Sequence, residues 1–386
     1  MNAIDSKLPN VGTTIFEVMT QLSNAEGAIN LSQGFPSFDP PQALLDRVQH
    51  YLANGANQYA PMPGVPALRE AIAEKVELLY GRSVSMDTEI TVSDGATEAL
   101  FSTIHAVVRP GDEVIVFDPA YDSYEPAVEL AGGTTRHLPL VRTDGRPDFH
   151  IDFQQLRDAL STKTRLIILN FPHNPTGAIL QPDDLGTLAE IVRDFDVYLL
   201  SDEVYEHIVF DGEKHLSLLT HDELWARSFV VSSFGKTYHC TGWKVGYCVA
   251  PAALTAEFRK IHQWTCYAVI TPIQHALADH MRATPEHYRE LPAFYAQKRD
   301  RFCELLKDSR FQITPAAGTF FQLRDYSSVS DDDDVSYAKR LTKELGVASI
   351  PISVFCEQPP AGRYLRFCFA KDDAMLETAA EKLCRL

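Results

Sequence analysis

The sequence predicts an α/β protein: a mostly parallel sheet flanked by helices, followed by a smaller α+β domain. Three observations carry this. Between about residues 41 and 280, short apolar, β-branched runs alternate with stretches of helical periodicity. Polar clusters stand at the ends of those runs. After about residue 280 the rhythm changes to one long helical stretch and antiparallel-looking strands. The chain accordingly divides into residues 1–40, an N-terminal arm and part of the small domain; 41–280, the large domain; and 281–386, the small C-terminal domain.

Residues 1–40 read as an irregular lead-in, punctuated by Pro9, Gly12, Gly34, Pro36 and Pro40. "PQALLDRVQHYLA" and "VPALREAIAEKVELLYG" place apolar residues at helical spacing, with Gly81 where a C-cap belongs. "EITVSDGATEALFSTIHAVV" reads as strand, turn, helix. The runs "DEVIVFDP", "TRLIILNFP", "DVYLLSDE", "SFVVSSFG" and "KVGYCVA" are too apolar for a half-exposed sheet and predict strands buried on both faces. In such sheets ligands bind beyond the C-terminal strand ends. The loops "SDGAT", "DPAYDSY", "HNPTG", "SDEVYEH" and "SSFGK" lie at those ends, so they should converge on one site. Further on, "PEHYRELPAFYAQKRDRFCELLKD" is a long helix, and "FQITPAA", "TFFQLRDY" and "RYLRFCFA" are strands. The acidic run in "SDDDDVSYAKRL" suits a helix start, where carboxylates face the positive end of the dipole, rather than a metal site.

Charge narrows the function. The balance is 35 − 52 = −17, which repels nucleic-acid backbones and anionic membranes. No stretch is long and apolar enough to predict a membrane span. Seven scattered cysteines without a CxxC pair point to reduced thiols and a cytoplasmic location. The start "MNAIDSKLPN" has no secretory pattern. Neither GxGxxG nor GxxxxGK[ST] is present, which disfavours a nucleotide enzyme.

Taken singly, the polar motifs are weak. "DGATEAL" opens a helix or presents backbone N–H groups to a phosphate. "NPTG" is ordinarily a turn. Asp202 after "VYLL" is a helix cap or ion-pair partner as readily as a ligand contact, and Lys236 by itself is a surface lysine. The ordered set is more specific. "GATEA", "YDSY", "NPTG", "SDEVYEH", "SSFGK", "GWKVG" and "RFCFA" resemble, in order and approximate spacing over the whole chain, the fold-type I pyridoxal-phosphate aminotransferases of class I/II. "INLSQGFPSFDPP", "NQYAPMPGVPALREAIA" and "SSFGKTYHCTGWKVGYCVAP" resemble the bacterial methionine aminotransferases and the kynurenine/glutamine transaminases.

The resemblance implies a seven-stranded large-domain sheet, pyridoxal 5'-phosphate as cofactor, no metal, and a homodimer with a shared active site. It implies that Lys236 bonds the cofactor aldehyde and later moves the Cα proton, while Asp202 pairs with the pyridinium nitrogen. Asn174 and Tyr205 would hydrogen-bond the phenolic oxygen, and Tyr121 would lie against the ring. Gly95, Ala96, Thr97, Ser233 and Lys244 would hold the phosphate, with Tyr59 reaching in from the other subunit. Lys244 stands where many relatives have arginine, a point charge in place of a planar fork. Arg366 would grip the substrate α-carboxylate, with Gly34 and Asn174 beside it. The implied reaction is ping-pong transfer of an amino group from methionine, an aromatic amino acid, kynurenine or glutamine to a 2-oxo acid. A cysteine-conjugate or cystathionine β-lyase shares these residues. A cofactor-binding transcription regulator needs an additional DNA-binding domain, for which the chain has no room.

Overall fold

Six of the apolar runs form one sheet because each can be buried on both sides, and a more polar edge strand completes it to seven. A computed structural model describes residues 5–143 and 146–386. In chain order the strands are β1 Ile90–Ser93, β2 Glu113–Asp118, β3 Thr134–Pro139, β4 Thr164–Asn170, β5 Tyr198–Asp202, β6 Ser228–Ser233 and β7 Gly246–Val249. The spatial order is β1-β7-β6-β5-β4-β2-β3. Six strands run parallel; β7 is antiparallel to both β1 and β6. The period-2 alternation of the strands separates two cores. Val116, Ile168, Leu200, Val231 and Cys248 face one layer, and Phe117, Ile167, Leu199, Val230 and Tyr247 face the other. Helices Gly95–Val107 and Ala252–Thr265 cover the first face, and helices Pro66–Tyr80, Asp184–Val192 and Thr271–Ala283 the second.

The smaller sheet is built from β8 Gln312–Ile313, β9 Phe321–Asp325, β10 Ile350–Pro351 and β11 Tyr364–Cys368. Its order is β8-β9-β11-β10, antiparallel throughout. Phe302, Phe321, Leu365, Phe367 and Leu376 build its own core with the helices His287–Leu305 and Asp373–Leu383. The acidic run does start a helix, Asp334–Arg340, and the Asp333 carboxylate accepts from the Ser336 amide.

Two features depart from the sequence reading. The segment read as an irregular lead-in contains the helix Ile15–Glu26. The Thr14 hydroxyl caps its start by accepting from the Glu17 amide, Gly27 ends it at φ 59°, and Met19 is buried in the small-domain core. β3, "TTRHLP", lacks an apolar run because it is the edge strand, paired only with β2 among the described strands. Among the described residues, no helix is long and apolar enough to cross a membrane, no cluster suits a metal ion, and all seven cysteines are free.

Candidate active site

All five predicted loops line one cavity of about 350 Å³ at the carboxyl ends of the parallel strands. Gly34, Gly95, Ala96, Thr97, Tyr121, Asn174, Asp202, Tyr205, Ser233, Lys236, Lys244 and Arg366 all contribute to its wall. Tyr59 does not: it is 86% exposed on this chain, edge-on to Tyr267.

Lys236 sits one turn past β6, in the short helix Phe234–Thr237. Its Nζ donates to the Gly34 carbonyl at 2.9 Å. Burial holds its ammonium down to about 8, opposed by Cys368 and Asp202 and reinforced by Arg366 and Lys244. The amine is therefore partly free near neutral pH. Asp202 ends β5. Its Oδ2 accepts from the Tyr124 hydroxyl at 2.8 Å and its Oδ1 from the Val204 amide. Burial pushes the carboxyl up to about 6 against these donors and Lys236, so an adjacent cation would be needed to keep it fully ionised.

Arg366 enters from β11, opposite Leu323 and Ile350 in register. It is 1% exposed and stacks on the Phe321 ring at 3.9 Å, with Phe16 at 5.2 Å. Nη1 donates to Asn174 Oδ1 and Nη2 to the Ser32 carbonyl, both at 2.8 Å. Nε is buried without a partner among the described residues. An unsatisfied donor on a buried cation is costly unless a ligand meets it.

The other end of the cavity is a cationic cradle. Helix Gly95–Val107 begins without a side-chain cap, which leaves its first amides to face the cavity. Lys244 lies in the left-handed region at φ 54° and comes so close that a Cβ on Gly95 would stand 3.2 Å from its Nζ. A Cβ on Gly246 would meet the Ala96 nitrogen at 2.9 Å. Only glycines allow β7 and the helix start to meet in this way. A lysine, a helix N-terminus and the Ser233 hydroxyl suit a phosphate. At the far end, a buried carboxylate suits a protonated ring nitrogen, and Lys236 suits an aldehyde between them. The donor set thus fits pyridoxal phosphate.

The region matching the family model "Aminotransferase class I and II" spans residues 26–383. The chain belongs to the class I and II aminotransferases. These are pyridoxal-phosphate-dependent enzymes, and transamination is this aminotransferase's activity. It is 54% identical to a methionine aminotransferase of Escherichia coli, over 99% of this chain and 98% of the relative. A solved structure of an E. coli methionine aminotransferase superposes with a TM-score of 0.97 at 53% identity, covering both chains completely. The N-succinyldiaminopimelate aminotransferase structure from Mycobacterium tuberculosis matches with a TM-score of 0.95 at 38% identity, covering 99% of this chain and 100% of the other. The human kynurenine–oxoglutarate transaminase 3 is 34% identical over 97% of this chain and 88% of its own.

Several groups in or behind the wall of the aminotransferase's cavity escaped sequence reasoning. Tyr124 stands in the quoted "YDSY", but nothing local reveals that its hydroxyl supports Asp202. Asn170 accepts from the Asn174 amide and donates to the Asp202 carbonyl, both at 3.0 Å. Its place at the end of an apolar strand was the available signal. Phe321 and Ser32 reach Arg366 only through the fold.

Proposed function

We propose that this aminotransferase moves the amino group of L-methionine, aromatic amino acids or comparable neutral amino acids such as kynurenine and glutamine to a 2-oxo acid, by a ping-pong mechanism. The observation that carries the reading is Arg366, held between two phenylalanine rings with a free Nε, in the same cavity as Lys236. It supplies one site for one carboxylate. Phe16, Tyr121 and Phe321 make the neighbouring wall aromatic, and no second arginine lines the cavity among the described residues. A side chain ending in a second carboxylate finds no fork there. The similarity to methionine and kynurenine aminotransferases supports the same class.

Lys236 would hold the cofactor covalently, Asp202 its ring nitrogen, Asn174 and Tyr205 its phenolic oxygen, and Tyr121 its ring face. Gly95, Ala96, Thr97, Ser233 and Lys244 would hold its phosphate. Bound there, pyridoxal phosphate supplies the electron sink and nitrogen carrier that no side chain can provide. Arg366 binds the substrate α-carboxylate bidentately, with Asn174 and Gly34 beside it, and so sets which Cα bond is aligned for cleavage. With substrate bound, the free Lys236 amine would take the Cα proton and carry it across the transferred nitrogen to the cofactor side. The Asp202 carboxylate would hold the proton on the ring nitrogen. Asp202 is buried and Lys236 half-buried, which limits the water that reaches that exchange.

The homodimer belongs to the same proposal. Tyr59, Trp264, Tyr267 and Ile270 leave at least half of their surface exposed on one chain, a large apolar area for a monomer. A second copy covering it would bring Tyr59 to the neighbouring phosphate cradle.

The test is the absorbance spectrum of the purified protein with and without methionine, followed by kinetics over an amino-acid panel. A protein-bound chromophore that shifts with methionine is the expected result. A kcat/KM for aspartate above those for methionine and phenylalanine would overturn the substrate class.

A further inference from the structure

Behind the phosphate cradle, on the opposite face of the sheet, lies a buried charge cluster with no part in the reaction. The Glu206 carboxylate is its centre. Oε1 accepts from Lys75 Nζ at 2.6 Å, from the Tyr247 hydroxyl at 3.1 Å and from the Ser232 hydroxyl. Oε2 accepts from the Tyr80 hydroxyl. Lys75 Nζ also donates to the Tyr247 oxygen at 2.6 Å. The Lys75 and Glu206 side chains are 4% and 3% exposed. Burial opposes ionisation of Glu206, but Lys75, His207 and the hydrogen bonds from Lys75 and Ser232 outweigh it and hold the carboxyl below its usual range.

A buried ion pair stabilises a fold little more than an apolar pair of the same shape would, because desolvation cancels most of the attraction. What it does impose is register. The residues it binds are immediate neighbours of the cavity wall. Glu206 follows Tyr205. Ser232 precedes Ser233 on β6, and Tyr247 follows Gly246 on β7. Ser233 pairs with Gly246 and Ser232 with Tyr247 in the ladder. Strand alternation turns Ser233 and Gly246 toward the cradle and Ser232 and Tyr247 toward Glu206. One carboxylate on the back of the sheet thus ties together the Tyr205 loop, the Ser233 strand end and the β7 start after Lys244. The helix carrying Lys75 holds that carboxylate in place.

We infer that Glu206, with Lys75, is a positioning residue for the cofactor phosphate: it sets the spacing of Ser233 and the Lys244–Gly246 segment against the helix start at Gly95. The inference rests on the phosphate lying in that cradle, as proposed above. Loosening the junction should weaken the grip on phosphate more than the grip on the ring.

The test compares the affinity of apo-protein for pyridoxal phosphate with that for pyridoxal, by fluorescence titration. Three variants keep the net charge constant, so electrostatic attraction for the phosphate is not altered directly: Ser232→Ala, Tyr247→Phe and the double variant Lys75→Met/Glu206→Gln. In the double variant the preference for the phosphorylated ligand should fall by at least about tenfold, and in each single variant by about threefold. Binding of pyridoxal should change far less. If the preference stays within about twofold of wild type in the single variants, or if both ligands weaken equally, the cluster merely stabilises the fold and the inference is overturned. The single variants decide the matter even if the double one does not fold. A wild-type protein that shows no preference for the phosphorylated ligand overturns the phosphate assignment itself, and the inference with it.

Discussion

Arg366 donates to Asn174 across a 2.8 Å hydrogen bond that joins the smaller sheet to the loop after β4, two residues 192 positions apart. The bond uses one arm of the fork, the Ser32 carbonyl accepts from the other, and Nε is left without a partner among the described residues. Arg366→Lys keeps the charge but loses the fork. Steady-state kinetics with methionine should show kcat/KM lower by about 30- to 1000-fold, the equivalent of about 2–4 kcal/mol, mostly through KM. Asn174→Ala should show a smaller loss in the same direction.

The two lysines of "SSFGKTYHCTGWKVGY" should separate cleanly. Lys236→Arg removes the amine placed to move the Cα proton, and kcat should fall by at least about a thousandfold. Lys244→Arg keeps a cation beside the cradle, and kcat/KM should stay within about tenfold of wild type. Because Lys244 sits at φ 54°, Lys244→Val should cost about 1–2 kcal/mol of stability beyond the lost charge, measurable by thermal melting.

The Tyr124 hydroxyl is a direct support of Asp202. Tyr124→Phe removes a hydrogen bond to a charged group, worth about 1.5–3 kcal/mol. The Asp202 carboxyl then moves further above its present value of about 6. The acidic limb of the kcat profile should shift to higher pH, with little change in KM.

Lys236 also sets a pH dependence in the apo-protein. A free amine is the nucleophile, and burial holds its ammonium to about 8. Capture of added pyridoxal phosphate, followed by absorbance, should accelerate with rising pH and reach half its limit near 8. An exposed lysine would do so near about 10.4.

Two buried histidines and the half-buried His239 should make the fold sensitive to acid. Burial pushes His173 and His207 down to about 3 and His239 to about 4. Their folded values lie below the unfolded value of about 6.5, so the stability they confer is complete above that pH and is lost as pH falls toward their folded values. Each contributes a slope of up to about 1.4 kcal/mol per pH unit. Asp202, raised to about 6, acts in the opposite direction with Asp122 and His137, which are also raised, while His105 and His280, both lowered by burial, act with the three. Thermal melts of apo-protein should show the midpoint falling steadily from pH 6.5 to about 4, and His207→Gln should flatten that fall.

The sequence by itself determined the layers of this protein. Buried strands must be apolar for their whole length and helices must repeat every 3.6 residues, so both are written locally, as in "TRLIILNFP" and "VPALREAIAEKVELLYG". The glycines and polar residues at the strand ends were equally legible, because a parallel sheet allows its ligand nowhere else. Two elements escaped it: the edge strand β3, which lacks an apolar run, and the helix Ile15–Glu26, which lies in a segment punctuated by glycine and proline. Only the tertiary structure decided which side chains meet: Arg366 with Asn174, Tyr124 with Asp202, and Lys75 with Glu206. Those pairings join segments 78 to 192 residues apart, and no local periodicity encodes them. They follow from the packing of the layers, which brings polar groups together inside a core where each must find a partner or carry the cost of going without.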